Sequence, residues 1–225
     1  MTKPLSPYLA PGFYQTALAR GRHRDIVGGR WDETGRLQLQ LLQKAGLRPE
    51  HQLLDIGCGS LRLGCKAVPY LAPGHYWGTD QSGELMHHGL AAELPGSDRL
   101  SAAQLVEDAE FAFPGIPPTI QFAIAFAVFT HLPLDYLHRA LTSARHRFPS
   151  LQMLLFTCFL APSPSDAAKA CRQPDGVVTH PHRPPYHFIA DAVETLCAAA
   201  GFAAERQPDR LPRGQILFHA RPTSG

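Results

Sequence analysis

The chain has 225 residues, 44% of them hydrophobic and 18% charged, with a formal net charge of +2. That composition suits one globular domain with a real core and excludes a disordered chain; the charge is too small to argue for nucleic acid. The densest basic cluster, "ARGRHRD" from Ala19 to Asp25, reads as a short solvated face. The longest apolar run, "FAIAFAVF", falls far short of the ~20 residues of a membrane span. Prolines in "MTKPLSPYLAPG" interrupt the apolar stretch that an export signal needs, so a cytoplasmic protein is expected. The five cysteines are scattered without a C-x-x-C pair, which argues against a disulfide framework and a structural zinc site.

Residues 1–30 carry little periodicity. "DETGRLQLQLLQKAGL" then places Leu37, Leu41, Leu42 and Ala45 near helical spacing, with Gly46 as a stop. "QLLDI" reads as a strand, "GCG" as a tight turn, and "SLRLGCKAVPYL" as a helix with Ser60 as its N-cap. "GHYWGTD" is a second strand, and "SGELMHHGLAAEL" a helix that Ser82 can cap. "AAQLVED" is a weak third strand and "TIQFAIAFAVF" a strong fourth, apolar almost throughout as a strand covered on both faces should be. "LPLDYLHRALTSARHRF" is a helix with Pro133 near its start, and "LQMLLFTCFLA" a fifth strand. Residues 161–187 hold six prolines and no sustained apolar period, so they read as a long structureless loop. "FIADAVETLCAAAGF" is a final helix, and "FAAERQ" and "GQILFHAR" two closing strands. Alternating strands and helices predict an α/β domain with an open parallel sheet covered on both faces.

In such a sheet ligands bind outside the carboxyl ends of the strands. Asp55, Asp80 and the pair Glu107/Asp108 fall at successive strand ends, beside the glycine turn. Asp80 lies 23 residues beyond Gly57, the distance at which an acid on the second strand can grip a ribose diol. The dinucleotide pattern G-x-G-x-x-G is broken, because Arg62 stands where the third glycine belongs and would crowd helix–strand packing. A nicotinamide-dependent oxidoreductase is therefore the weaker reading, and the chain also lacks a Tyr-x-x-x-Lys pair to support it.

"LLDIGCGSLRLG" resembles motif I of class I S-adenosylmethionine-dependent methyltransferases, and the similarity continues through "YWGTD", "LVEDAEF", "FAIAFAVFTHLP" and "LLFTCFL". "IVGGRWDETGRLQLQLLQKAGLRPEHQ" and "GFAAERQPDRLPRGQILFHA" also resemble a bacterial subgroup of small-molecule methyltransferases. The resemblance implies a Rossmann-like seven-stranded sheet with the last strand antiparallel, one domain over 1–225, and S-adenosyl-L-methionine as cofactor. It implies that Asp55, Gly57 and Gly59 line the methionine end, that Asp80 holds the ribose, and that Asp108 with neighbouring backbone meets the adenine. Cys58, Arg62, Gln81 and Ala109 join them around the cofactor, and Ala127 and Val128 form the floor beneath the transferring methyl. Relatives often carry Ser where this chain has Ala127, so a hydroxyl-based role is missing there. The acceptor expected is a small molecule methylated at oxygen or nitrogen, with no nucleic-acid or membrane partner. A non-catalytic cofactor-binding or scaffold protein is the remaining alternative.

His131, in "FTHLP" after the fourth strand, is the first candidate base, with an ordinary imidazole pKa near ~6.5. Its competing role is to cap the next helix. Tyr186 and His187 are second candidates, facing the acceptor if the 161–187 loop folds over the site. His180, His182 and His187 lie near one another in sequence but have no acid or cysteine among them, so a metal site is not expected. Residues 1–31, with Phe13, Tyr14, His23, Arg24 and Trp31, are expected to form a lid, against the plainer reading of packing on the sheet edge.

Overall fold

The computed structural model describes Ser6, Tyr8, residues 12–208 and residues 211–223. A short helix α1 (Phe13–Ala19) and a longer α2 (Trp31–Lys44) precede the first strand, β1 (Leu53–Ile56). Then follow α3 (Gly64–Tyr70), β2 (Tyr76–Asp80), α4 (Gly83–Glu93), β3 (Leu105–Glu107), β4 (Phe122–Ala125), α5 (Leu134–Arg147) and β5 (Met153–Leu160). The short strands β6 (Cys171–Arg172), β7 (Val178–Thr179) and β8 (His187–Phe188) lead to α6 (Ala190–Ala199), β9 (Phe202–Arg206) and β10 (Ile216–Pro222).

The main sheet runs β3-β2-β1-β4-β5-β10-β9, with β8 pairing alongside the end of β5. β1 to β5 are parallel, while β10 is antiparallel to both β5 and β9. The expected seven-strand α/β sheet with an antiparallel last strand is thus present, with β8 as an addition.

Period-two alternation divides the core between the two sheet faces. Leu53, Phe122, Ile124, Met153, Leu155 and Leu217 pack with Leu41 and Leu42 of α2, Ala67 and Val68 of α3, and Met86 of α4. Their neighbours Leu54, Ala123, Ala125, Leu154, Phe156 and Phe218 pack with Leu137, Ala140 and Leu141 of α5 and Val193 of α6. Both faces are covered, which is why these strands read as continuous apolar runs. Among the described residues no helix is long and apolar enough to cross a membrane.

Three expectations need correction. The third helix begins at Gly64, not at Ser60, because Leu61 takes a left-handed φ of 67° and the chain turns once more before the helix starts. The Ser60 hydroxyl donates instead to the His23 carbonyl at 2.7 Å. The fourth strand stops at Ala125, since Ala127 is left-handed at φ 62° and cannot continue a ladder. Residues 161–187 are not structureless: β6 and β7 form a small antiparallel pair, and β8 joins the main sheet. Ser82, by contrast, does cap α4, accepting from the Leu85 N–H at 3.2 Å.

The approach of α4 to the turn after β1 is close enough to test. A Cβ at Gly89 would lie 2.5 Å from the Ser60 carbonyl oxygen and 2.6 Å from its carbon, both backbone atoms. Overpacking of this kind costs about 1–3 kcal/mol, and alanine recovers only ~1 kcal/mol of helix propensity. Gly89→Ala is expected to lower Tm by roughly 2–8 °C in a thermal melt.

Candidate active site

The carboxyl ends of the parallel strands open into a cavity of about 340 Å³. Every expected cofactor-site residue lines it: Asp55, Gly57, Cys58, Gly59, Arg62, Asp80, Gln81, Asp108, Ala109, Ala127 and Val128. His131 lines it too.

The glycine turn is shaped by two close approaches. Gly57 (φ 70°) and Gly59 (φ 55°) are left-handed, and a Cβ on them would lie 2.5 Å from Val128 Cγ2 and 2.6 Å from Val27 Cγ1. Both positions therefore need glycine twice over, for conformation and for space. Asp80 holds the turn in place. Its Oδ2 accepts from the Gly59 N–H at 3.0 Å and its Oδ1 from the Ser82 N–H at 3.1 Å. Burial raises this carboxyl to about 6, against those backbone donors. Each oxygen keeps lone-pair capacity beyond its one backbone bond.

Asp55 lies deeper. Its Oδ2 accepts from the Tyr76 hydroxyl at 2.7 Å. Burial lifts it to about 7, with the Tyr76 bond and the charge of Arg62 pulling the other way. Burial also pushes the Cys58 thiol well up, so it is a packing group rather than a thiolate. Arg62 causes no crowding: the extra turn frees its side chain to donate to the carbonyls of Val27 and Gly29. Asp108 folds its own loop, accepting from the N–H groups of Glu110 at 2.9 Å and Phe113 at 2.7 Å. Gln81 donates to the Tyr14 hydroxyl at 2.6 Å and the Tyr8 carbonyl at 3.3 Å, which ties the N-terminal segment to the end of β2.

The floor after β4 is strained and fully braced. Ala127 is left-handed; its N–H donates to Thr157 Oγ1 at 2.8 Å, and its carbonyl accepts from Thr130 Oγ1 at 2.8 Å. Thr157 in turn donates to Gln215 Oε1 at 2.6 Å. His131 follows, with Nδ1 buried and unpartnered among the described residues and the Tyr8 ring edge-on at 4.8 Å. Burial first, then the charge of Arg213, lowers its pKa to about 4. The ordinary imidazole pKa expected from sequence is thus corrected: His131 is neutral at pH 7 and a weak base.

Tyr186 and His187 do not line this cavity. Tyr186 is buried in the core against the α5–α6 face. His187 is buried, with Nδ1 2.9 Å from Thr179 Oγ1 and Nε2 3.2 Å from the Ala167 carbonyl. The 161–187 segment reaches the cavity through Val177 and Pro185. From the N-terminal segment come Ser6, Tyr8, Tyr14 and Ile26 to Gly28; residues 1–5, 7 and 9–11 of the expected lid lie outside the described residues. His23, Arg24 and Trp31 stand behind this wall. Arg24 grips Glu93 at 2.7 and 2.8 Å, His23 reaches the same carboxylate at 2.7 Å, and Arg24 lies 5.3 Å over the Trp31 ring.

Sequence reasoning missed Gln38, Thr157, Arg213 and Gln215. Gln38 is a buried residue of α2 that lines the cavity with Oε1 unpartnered. Its helical spacing from Leu41 and Leu42 was the available signal, a polar residue on the buried stripe.

No protein-family model and no curated protein matches the sequence. Solved structures do match in shape, and the class they define is the fold of S-adenosylmethionine-dependent methyltransferases. Magnesium protoporphyrin IX methyltransferase from Synechocystis PCC 6803, solved with bound SAM, superposes with a TM-score of 0.63 at 15% identity, over 98% of each chain. The 1,6-didemethyltoxoflavin-N1-methyltransferase of Burkholderia thailandensis, solved with 1,6-didemethyltoxoflavin and S-adenosylhomocysteine, gives 0.62 at 19% identity, over 100% of this chain and 94% of that one.

The buried acid gives a pH test. In the unfolded chain Asp55 ionises near ~3.9, while in the fold it holds its proton up to about 7. Between these values the native state binds more protons, so this group makes stability fall as pH rises. Asp55→Asn keeps an acceptor for Tyr76 and removes the titration. Its Tm relative to wild type is expected to improve from pH 5 to pH 7.5, read from melts across that range.

Proposed function

We propose that this protein is an S-adenosylmethionine-dependent methyltransferase acting on oxygen or nitrogen of a small molecule in the cytoplasm. The observation that carries the reading is one cavity that joins the Gly57–Gly59 turn, Asp80 and the braced Ala127 floor. The site fits the cofactor by its own chemistry. Asp80 has acceptor capacity for a diol, and Gln38 offers an unpartnered carbonyl oxygen suited to an ammonium. S-adenosylmethionine, when bound, supplies an activated methyl group that needs an aligned nucleophile more than it needs acid catalysis.

The chain's own residues do the rest. Asp55, Gln38 and Arg62 meet the amino-acid end, and Asp80 with Gln81 the ribose. The loop of Asp108 and Ala109 meets the base. Neutral His131 orients the acceptor by hydrogen bonding, and its low pKa makes it a poor proton acceptor. Ser6, Tyr8 and residues 12–31, with Val177 and Pro185, form a lid that excludes water.

Asp80→Ala removes charge-assisted hydrogen bonds worth about 1.5–3 kcal/mol each. Calorimetric titration with S-adenosylhomocysteine should show affinity at least tenfold weaker in Asp80→Ala and several-fold weaker in Gln38→Leu. Unchanged affinity in folded Asp80→Ala protein would overturn the cofactor assignment. His131→Asn should leave that affinity intact and, with an acceptor in hand, raise KM more than it lowers kcat. A kcat loss of ~10²–10⁴ would instead mark His131 as a general base.

A further inference from the structure

The cavity's acidic groups are confined to one of its two halves. Asp55, Asp80, Asp108 and Glu110 all stand on or just after β1, β2 and β3, with Arg62 among them. The other half is built from the ends of β4 and β5 and the start of β10, with Val177 and Pro185 over it. Among the lining residues that half holds no carboxylate. Leu132, Tyr136, Phe159, Val177 and Pro185 give it apolar walls, and Arg213 gives it a cation.

Arg213 is placed there by strained backbone. It is left-handed at φ 65°, between Leu211 and Gly214, in a short turn that leads into β10. Its N–H donates to Asp175 Oδ2 at 2.7 Å, which docks this turn against the segment between β6 and β7. A Cβ on Gly214 would lie 2.8 Å from Pro174 Cδ, so the docking is tight. The side chain then reaches across to the Gly28 carbonyl at 2.9 Å. That contact uses one of five guanidinium N–H donors, and Arg213 makes no ion pair among the described residues. Strain of this kind in a cavity-lining residue points to a task.

We infer that the methyl acceptor is a flat, apolar molecule bearing an anionic oxygen, a carboxylate or an ionised phenol, and that Arg213 is the residue that selects it. The inference rests on the methyltransferase reading and adds the substrate class to it. A protonated amine would meet the Arg213 cation with no lining carboxylate in that half to offset it; the one acid beside Arg213, Asp175, does not line the cavity and is engaged by the Arg213 N–H. An ionised oxygen gains a charge-assisted partner, and its ring lies against Tyr136 and Phe159. The chemistry balances without a base. The acceptor oxygen forms the new O–C bond, the cofactor's C–S bond breaks, and the electron pair stays on sulfur. No proton moves, which agrees with a His131 too weakly basic to take one.

The test uses the whole chain, as wild type and as Arg213→Gln, saturated with S-adenosylhomocysteine. Ligand-observed NMR competition compares benzoate, salicylate and 2-naphthoate with their carboxamides and with the matching arylmethylamines. Wild type should bind the carboxylates at least fivefold more tightly than the amides and the amines least. Arg213→Gln should erase the preference while holding S-adenosylhomocysteine within threefold of wild type. The inference is overturned if amides or amines bind as well as carboxylates, if no probe binds, or if the preference survives Arg213→Gln. It is overturned as well if that variant loses S-adenosylhomocysteine, since Arg213 would then belong to the cofactor. Wild type that fails to bind S-adenosylhomocysteine brings down the methyltransferase reading itself, and this inference with it. Because the guanidinium is exposed, the preference should shrink between 50 mM and 500 mM salt.

Discussion

The carboxylate of Asp80 is the constraint on which the site depends. It is partly buried, and it makes no ion pair among the described residues. Backbone N–H groups of Gly59 and Ser82 satisfy it instead, at the entry to α4 where the helix end favours negative charge. One side chain thereby fixes the turn after β1, the end of β2 and the start of α4. Burial alone would neutralise such an acid near neutrality; the backbone donors hold it back to about 6, so the anion is present at physiological pH. A glycine turn left unbraced would be free to relax. Braced this way it keeps its left-handed residues aimed into the cavity before any ligand arrives.

The opposite half depends on strand direction. Parallel strands deliver only their carboxyl ends to the cavity. β10 is antiparallel, so its start lies at that same edge. That is how Arg213 and Gln215, at the amino end of a strand, come to line the cavity beside Phe159 at the end of β5. Gln215 then reaches Thr157, and Thr157 braces the left-handed Ala127. Two chain segments 58 residues apart thus hold one strained peptide, and Gln215 reaches that edge because the last strand is antiparallel.

How much of this was legible in the sequence follows from how local each signal is. The strands β1, β2, β4 and β5 announced themselves as apolar runs, and the acids at their ends followed from the turn chemistry. Ser60 misled because a serine before an apolar period looks like a cap, while the left-handed Leu61 that delays the helix has no sequence mark. The segment from 161 to 187 looked structureless because strands of two residues have no period to detect. Arg213 was invisible for a deeper reason: its position depends on a strained turn and on a contact with Gly28, 185 residues away in sequence. His131 was found by place, but its basicity was misjudged, since burial beneath Tyr8 is a tertiary fact.

The N-terminal segment shows how a cover can be attached without being part of the sheet. Val27 lies over Gly59, Ser60 donates to His23, Arg62 to Val27, Arg213 to Gly28, and Gln81 to Tyr8 and Tyr14. Glu93 anchors the outside through Arg24 and His23. Almost every acceptor on the segment is a backbone carbonyl, so the clasp depends on its path more than on its side chains. Each such bond is worth about 0.5–1.5 kcal/mol net, and the set therefore sums to several kcal/mol. That is enough to keep the cavity covered most of the time and small enough to be lost without unfolding the sheet, whose core lies elsewhere. A cover with that balance suits a site that must admit a large polar ligand and then exclude water, which is the demand the proposed methyl transfer makes.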